Sequence, residues 1–140
     1  MSTTIRPEIS NNNRYWVERH RYYELKHFCL QYPIWRKAYN ALETFSIRAM
    51  DFNSYIRDGQ SYGNPTAKCA EARLFYKQKM LMVEESAKEA DSELFEYIIK
   101  GVTEGVSFEK LKLIDGMPCC RETYYDRYRR FFWILNKRRD

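Results

Sequence analysis

Residues 91–140 read DSELFEYIIKGVTEGVSFEKLKLIDGMPCCRETYYDRYRRFFWILNKRRD, and this stretch decides the fold. Its first part has apolar residues at helical spacing, which predicts one buried helix face. The residues of that face are Leu94, Ile98 and Val102, with Tyr97 beside them. Asp91 and Ser92 are good N-caps, and Gly105 lies where a left-handed residue ends a helix. We therefore expect a helix between Asp91 or Ser92 and Gly105.

A second, shorter helix follows. Ser107 is suited to cap it, and Gly116 ends it as Gly105 ends the first. The residues expected to face inward are Phe108, Leu111 and Ile114. Pro118 has no backbone N–H and biases Met117 away from helical geometry, so we expect a turn over residues 116–120.

A third helix is expected to begin near Arg121 and to carry two stripes. The apolar stripe is Tyr124, Tyr128, Phe131 and Leu135, widened by Phe132. The outward stripe is Arg121, Tyr125 and Arg129, next to Glu122, Asp126 and Arg130. Helix, tight turn and basic helix together have the sequence form of a helix-turn-helix. The alternative is that the basic stripe is an ordinary solvated helix surface.

Charge is unevenly distributed along the chain. Residues 121–140 hold seven positive and three negative side chains, a net of +4, and residues 1–50 hold eight and four, also +4. Residues 51–120 hold nine positive and twelve negative side chains, a net of −3. A basic C-terminal element after an acidic middle indicates an anionic partner at that end.

The run EGVSFEKLKLIDGMPCCRETYYDRYRRFFWILNKR resembles the C-terminal helix-turn-helix of small phage and prophage transcriptional regulators of the ArpU and RinA type. That unit is in turn similar to region four of sigma factors. The positions that match the pattern are Glu104, Gly105, Val106, Ser107, Phe108, Leu111, Gly116, Met117, Thr123 and Tyr124. Pro118 and the pair Cys119–Cys120 depart from it, which affects where the third helix starts.

The resemblance implies a sequence-specific regulator that binds double-stranded DNA, an activator of late or packaging genes, with host RNA polymerase as a further partner. It would act in the cytoplasm of a bacterial host cell. The recognition helix would be residues 121–137, whose N-terminal turns enter the major groove most deeply. The expected base-edge contacts are Arg121, Glu122, Thr123, Tyr125, Asp126 and Arg129, and the expected phosphate contacts are Arg130, Lys137, Arg138 and Arg139.

The whole chain is predicted to be all-α, with few glycines and prolines to interrupt its helices. Residues 1–13 are expected to be a flexible tail, residues 14–63 a helical hairpin and loop, and residues 64–140 a long helix followed by the DNA-binding domain. In the hairpin, a helix from Glu18 to Leu30 is interrupted before Pro33, and a second helix runs to Phe45.

Residues 46–63 are the best candidate for a linker, because Asp58-Gly59 and Gly63-Asn64 are turn dipeptides. Asn64 and Pro65 then suit the cap and first position of a long helix that runs to about Ala90. The apolar residues of the long helix are Ala67, Ala70, Leu74 and Leu81, flanked by Met80 and Met82, and we expect them to pack in the core. Ala67, Leu74 and Leu81 recur at seven, and an exposed seam would be the natural surface for a homodimer.

Two further charge patterns have open interpretations. The acidic run is Glu84, Glu85, Glu89, Asp91, Glu93 and Glu96, and it is a solvated surface, a face that repels DNA, or a patch for a basic partner. The N-terminal basic residues are Arg14, Arg19, Arg21 and Lys26, interleaved with aromatics. They suit an auxiliary DNA contact as well as a packed helix whose arginines reach out to solvent.

We find no signal for an enzyme, a cofactor or a metal site. Cys29, Cys69 and the pair Cys119–Cys120 lack zinc-finger spacing and are expected to be free thiols, and His20 and His27 are expected to be ordinary helix residues. No apolar run approaches the roughly twenty residues of a membrane span, and no secretory signal is expected. Two other functions remain open, namely an interaction protein that binds host RNA polymerase or a defence enzyme, and a small DNA-packaging (terminase) subunit that assembles into rings.

Overall fold

The computed structural model describes residues 13–55 and 65–139, and it is all-helical over these ranges, with no strand. Its helices are α1 (Arg19–Leu30), α2 (Tyr32–Tyr55), α3 (Pro65–Ala90), α4 (Phe95–Glu104), α5 (Phe108–Ile114) and α6 (Arg121–Arg138). The predicted all-α class is confirmed, and so is the long central helix, which is α3. None of these helices combines the length and apolar character needed to cross a membrane.

The described residues form two compact units. One contains residues 13–32 and 82–139, and the other contains residues 33–55 and 65–81. Within the first unit, α1 packs on α4 and α6. There α1 covers the aromatic face of α6, where Tyr22 makes an edge contact with Phe132 at 5.1 Å between ring centroids. The expected hairpin of α1 with the second helix stays a prediction.

The ends of α1 lie where the sequence places them. Glu18 caps its N-terminus, and one of its carboxylate oxygens accepts hydrogen bonds from the backbone N–H groups of His20 (2.9 Å) and Arg21 (3.2 Å). The helix ends at Leu30, shortly before Pro33, as predicted. The buried residues of α1 are Tyr22, Leu25, Phe28 and Cys29. The buried thiol Cys29 has the packing role expected for it, and burial raises its pKa.

Helix α2 is longer than predicted. It continues from the expected end at Phe45 to Tyr55, so the linker prediction is wrong over residues 46–55. The chain has no glycine or proline between Pro33 and Gly59, and nothing in the backbone stops the helix there. The predicted tail up to residue 12, both turn dipeptides and the cap at Asn64 lie outside the described residues. Pro65 is the first residue of α3, as expected.

Helix α4 starts later than predicted, at Phe95. Asp91 does not cap the helix itself; its carboxylate accepts hydrogen bonds from the backbone N–H groups of Glu93 (2.9 Å) and Leu94 (3.1 Å). These bonds form a turn between the end of α3 and α4, which delays the new helix by about one turn. The predicted inward residues Leu94, Ile98 and Val102 are buried. Gly105 ends α4 with a φ of 69°, as the sequence indicates.

Helix α5 is capped as predicted by Ser107, whose hydroxyl accepts a hydrogen bond from Lys110 N–H at 3.3 Å. Leu111 is fully buried, but Ile114 is 69% exposed, so its predicted inward position is wrong. After Gly116 the chain folds back, and Met117 N–H donates to Leu111 C=O at 3.3 Å. Met117 is 1% exposed, so the buried apolar residue at this end of α5 is Met117 and not Ile114.

In the second unit, the apolar stripe of α3 does not lie in the core. Ala67, Leu74 and Leu81 are exposed, contrary to the expectation of core packing. The contacts of α3 with α2 come from another face, where Cys69 Sγ donates to Leu42 C=O at 3.2 Å. The guanidinium of Arg73 lies 5.2 Å from the centroid of Tyr39, on that same side.

Candidate nucleic-acid interface

The inner face of α6 is an aromatic and aliphatic surface that fixes the helix in the first unit. Its buried residues are Tyr124, Tyr125, Tyr128, Phe131, Phe132, Ile134 and Leu135. Neighbouring rings make edge contacts, such as that of Tyr128 with Phe132 at 5.0 Å between centroids. Because these contacts continue along the helix, they fix the rotation of α6 about its axis, and so determine which of its residues point away from the other helices.

Tyr125 belongs to this inner face and not to the outward stripe predicted for it. It is 6% exposed, and its ring centroid lies 5.8 Å from that of Tyr128 and 6.4 Å from that of Phe108. The buried arc of α6 is wider than a single neighbouring helix would require, because α1, α4 and α5 all cover it. Burial also raises the pKa of the Tyr125 phenol. Its predicted contact with a base edge is therefore corrected.

Most other predicted contact residues do face outward. The exposed or half-exposed residues of this face are Glu122, Thr123, Asp126, Arg129, Arg130 and Lys137, and Trp133 lies among them. At 3.6 residues per turn they share the side of α6 opposite Tyr128 and Phe132. We call this set the outer face of α6. It has hydrogen-bond acceptors towards the N-terminus and cations towards the middle and the C-terminus.

The two ends of α6 are held by ion pairs with other helices. Arg121 Nη1 lies 3.0 Å from Glu109 Oε1 on α5. Arg138 lies 3.0 Å from a carboxylate oxygen of Glu85 and 2.7 Å from one of Glu89, both on α3. Part of the positive charge of the C-terminal segment is therefore neutralised within the chain.

Two more arginines of the segment have partners of this kind. Arg127 Nε lies 3.4 Å from Asp91 Oδ2, and Arg139 lies 3.5 Å from Glu24. The guanidinium of Arg139 also lies 4.0 Å from the ring centroid of Phe28. The acidic run before α4 thus has arginines of α6 as basic partners, an arrangement the sequence analysis did not predict.

Three cations of the outer face differ from these. Arg129, Arg130 and Lys137 have no ion-pair partner among the residues that the structure describes. The Nε atoms of Arg129 and Arg130 are shielded from solvent and have no hydrogen-bond partner there. Their side-chain stems pack against the protein while their charge remains unpaired, so these residues are the ones best able to bind an anion.

A row of two adjacent rings with a cation at each end lies beside them. Lys137 Nζ lies 3.3 Å from the Trp133 ring centroid, Trp133 lies 5.6 Å from Tyr15, and the Arg14 guanidinium lies 4.8 Å from Tyr15. Trp133 and Tyr15 were missed as site residues. The signal was present, since Arg14 and Tyr15 belong to the basic aromatic segment for which an auxiliary DNA contact was considered.

Arg21 of the same segment has a structural role. Its Nε donates to Asn136 Oδ1 at 2.7 Å and its Nη2 to Asn136 C=O at 3.4 Å, which ties α1 to the C-terminal end of α6. Of the four N-terminal basic residues considered, Arg14 thus lies at the outer face of α6 and Arg21 holds that helix in place.

The N-terminus of α6 carries an exposed thiol. Cys120 is the N-cap, and its Sγ lies 3.2 Å from Thr123 Oγ1. The hydrogen bond from Thr123 is the largest of the effects that lower the Cys120 thiol pKa. Cys119 is half-buried, and desolvation raises its thiol pKa. Among residues 13–55 and 65–139, no three His, Cys, Asp or Glu side chains are grouped to hold a metal ion.

No protein-family model, curated protein or solved structure matches this chain. The resemblance to phage regulators stays a prediction, and the case for a function depends on the geometry of α6 and its surroundings.

Proposed function

We propose that the protein is a sequence-specific DNA-binding transcriptional regulator of phage or prophage genes that places the outer face of α6 in the major groove. One observation carries the proposal. The outer face holds Arg129, Arg130 and Lys137 without ion-pair partners, while the inner face of the same helix is fixed in an aromatic core. A rigid helix with unpaired cations on one side is suited to bind phosphates and base edges.

The outer-face residues divide into two roles by position. Thr123, Glu122 and Asp126 lie in the first two turns, where a helix reaches base edges, and carboxylates there accept hydrogen bonds from cytosine amino groups. Arg129 is the base-edge cation, and Arg130 and Lys137 contact phosphates. Acidic residues at the base-reading end favour specificity over general affinity, because they repel any phosphate that lies close to them.

The remaining predicted contacts take a smaller part. Arg121, Arg138 and Arg139 are held in ion pairs, and each must exchange a carboxylate for a phosphate before it contributes. Exposed pairs of this kind are worth less than about 1 kcal/mol, so the exchange is feasible, but it brings little net gain. Arg14, by contrast, extends the cationic surface beyond the end of α6 through Tyr15 and Trp133.

The primary test is retention of fragmented genomic DNA of the source by the purified protein over a series of salt concentrations, followed by sequencing. We expect one or a few fragments to be retained, with affinity that falls steeply with salt because phosphate binding releases counterions. Absence of retention at every salt concentration would refute the proposal.

Single substitutions then assign the roles. Arg129→Ala should weaken binding to the retained site by about 1–3 kcal/mol and relax its specificity. Arg130→Ala should weaken binding to all sequences alike and reduce the salt slope by about 1. Arg138→Ala removes the same charge from a residue held by Glu85 and Glu89 and is the matched control. Equal losses in all three variants would show that only net charge matters and that α6 is not a recognition helix.

A second candidate function is an interaction protein that binds host RNA polymerase. The observation in its favour is an apolar pair on α5, where Leu113 is 85% and Ile114 is 69% exposed. Large apolar side chains that stand next to each other at the surface often mark a protein contact. Binding of purified host polymerase in the absence of DNA, abolished by Leu113→Ser with Ile114→Ser, would support it. Loss of DNA retention in that double variant, without polymerase binding, would contradict it.

A further inference from the structure

A pocket of about 110 Å³ lies inside the first unit, where α1, α4, α6 and the loop between α4 and α5 meet. Its floor consists of buried residues, namely Gly101 and Val102 of α4 and Tyr124 and Tyr128 of α6. Leu30 of α1 also lines the pocket and is 38% exposed, so it lies at the rim. The pocket therefore opens beside α1 and ends at the rings of α6.

The rim of the pocket carries a cation. Lys26 lies one turn before Leu30 on the same face of α1, and it is half-buried. It has no ion-pair partner among the residues that the structure describes. Of the lining residues within the described ranges, Lys26 is the only charged one. Since no carboxylate there competes for the ammonium group, a ligand anion at the rim would gain a charge-assisted hydrogen bond.

The floor of the pocket carries a buried hydroxyl. Tyr124 is 1% exposed, and its hydroxyl oxygen is shielded from solvent and has no hydrogen-bond partner in the described part of the chain. The hydroxyl lies against Gly101, where a Cβ would collide with it. Burial raises the pKa of this phenol, so it keeps its proton at neutral pH. A buried O–H without an acceptor is costly, and a ligand oxygen at this depth would remove that cost.

Between the rim and the floor the lining is aromatic and apolar. The ring centroid of Tyr124 lies 5.2 Å from that of Tyr125 and 6.0 Å from that of Tyr128, and Val106 lies beside these rings. An apolar cavity of roughly 150 Å³ holds one benzene molecule. A pocket of about 110 Å³ that is open at its rim therefore has room for one six-membered ring whose polar substituent lies at the opening.

We propose that this pocket binds a small aromatic carboxylate with a ring hydroxyl, of the size of para-hydroxybenzoate. The carboxylate lies at the rim and accepts a hydrogen bond from the Lys26 ammonium group. The ring packs on the tyrosine rings, and the ring hydroxyl oxygen accepts a hydrogen bond from the Tyr124 hydroxyl. A ligand of about ten non-hydrogen atoms should bind with a dissociation constant on the order of 0.1–1 mM.

The site is on the inner side of α6, away from the outer face that we assign to DNA. The inference does not rest on the proposed DNA function, and its tests contain no DNA. Failure of either proposal therefore leaves the other one standing.

The first test is a titration of the isotope-labelled full chain with sodium para-hydroxybenzoate, followed by two-dimensional NMR. The glycines report the position of the ligand, because Gly101 and Gly105 line the pocket and Gly116 does not. We expect saturable shifts of the Gly101 and Gly105 amides and none at Gly116, with equal concentrations of sodium chloride as the control. Absence of saturable shifts up to about 20 mM ligand would overturn the inference. Saturable shifts confined to the outer face of α6 would overturn it too.

Matched ligands separate the two polar contacts. Para-hydroxybenzamide lacks the negative charge and should bind at least about tenfold more weakly than the acid. Benzoate lacks the ring hydroxyl and should bind about fivefold more weakly. Inorganic phosphate has charge but no ring and should not shift the Gly101 and Gly105 amides. Equal affinity for the acid and the amide, or saturable phosphate binding at these two glycines, would contradict the proposed ligand class.

Substitutions assign each contact to its residue. Lys26→Gln should weaken the binding of para-hydroxybenzoate about tenfold and leave that of the amide within about twofold. Tyr124→Phe should abolish the preference for para-hydroxybenzoate over benzoate, because the donor at the floor is gone. Lys110→Gln is the matched control, since it removes the same charge from an exposed residue of α5 outside the pocket and should leave every constant within about twofold.

Circular dichroism shows whether each variant retains its helices. If Tyr124→Phe does not fold, the comparison of the ligands on the wild type decides the floor contact. A Lys26→Gln variant that keeps the full preference for the acid over the amide would refute the inference. A folded Tyr124→Phe variant that keeps the preference for the ring hydroxyl would do the same.

Discussion

The inner and outer faces of α6 are built from different interactions. The inner face consists of large rings in edge contact, among them Tyr128, Phe131 and Phe132, and it has no charged side chain. The outer face has the cations Arg129, Arg130 and Lys137, which have no ion-pair partner among the described residues, and Lys137 Nζ lies 3.3 Å from the ring centroid of Trp133. The inner face determines where the helix lies, and the outer face determines what it can bind.

The arginines of α6 also differ in whether they have an ion-pair partner. Those at its two ends, such as Arg121 and Arg138, are held by glutamates of α5 and α3, while Arg129 and Arg130 in the middle are not. Ion pairs at the ends align α6 with its neighbours and leave Arg129 and Arg130 available. The net charge of the segment does not distinguish these two groups of arginines.

The largest expected effect separates the two faces by their contribution to stability. Phe131 is fully buried, and Phe131→Ala should lower the free energy of unfolding by about 3–5 kcal/mol, because it leaves a cavity between helices. Arg129→Ala, on the outer face, should change it by no more than about 0.5 kcal/mol. Urea denaturation followed by circular dichroism measures both. Similar losses from the two substitutions would mean that the outer face is also structural.

A second expectation concerns the fit between α4 and the inner face. Gly101 is buried in the middle of α4, and a Cβ there would collide with the Tyr124 hydroxyl. Gly101→Ala normally gains about 1 kcal/mol in a helix, yet here it should destabilise the protein by about 1–3 kcal/mol. In a Tyr124→Phe background the hydroxyl is gone, and the alanine should be neutral or stabilising. Stabilisation by Gly101→Ala in the wild-type background would contradict this packing.

The buried phenols of the inner face predict a pH dependence. Burial is the main cause that raises the phenol pKa values of Tyr124 and Tyr128. In the unfolded chain these phenols lose their protons near pH 10, while in the folded protein they retain them. Below that pH neither state ionises and stability is unaffected. Above it, ionisation of the phenols stabilises the unfolded state. The free energy of unfolding therefore falls by up to about 1.4 kcal/mol per pH unit for each phenol.

The measurement is the urea midpoint from neutral pH to pH 11. The variant Tyr124→Phe with Tyr128→Phe should lose less stability above pH 10 than the wild type does. An equal decline in the two proteins would show that other groups govern alkaline unfolding.

Local signals in the sequence predicted the helices well. Ser107, Gly105 and Gly116 act within a few residues of where they stand, and each caps or ends a helix as expected. Leu94, Ile98 and Val102 were correctly placed in the core for the same reason, since helical periodicity is a property of one segment. The errors at these elements were a single turn at the start of α4 and the exposure of Ile114.

Long-range pairing could not be predicted in this way. Tyr125 is buried because neighbouring helices cover it, among them α5 with Phe108. The contact between Tyr22 and Phe132 likewise joins parts of the chain that no local pattern relates. The ion pairs of Arg138 are similar, since an acidic run offers several carboxylates and the sequence does not select Glu85 and Glu89 from among them. The candidate site was therefore predicted as a helix and a basic face, but not as a division into paired and unpaired cations.

The smallest expected effect tests that division directly. Glu85→Gln with Glu89→Gln releases Arg138 without altering its own side chain. The lost pairs are exposed, so stability should fall by at most about 1 kcal/mol, and the difference from the wild type should vanish in high salt. Binding to DNA should become severalfold tighter at low salt, because one more cation is available and two anions near it are gone. The matched control is Glu93→Gln with Glu96→Gln, which removes the same charge from exposed residues that have no ion pair within the described chain. If both double variants bind DNA equally well, the ion pairs of Arg138 do not limit binding, and only net charge does.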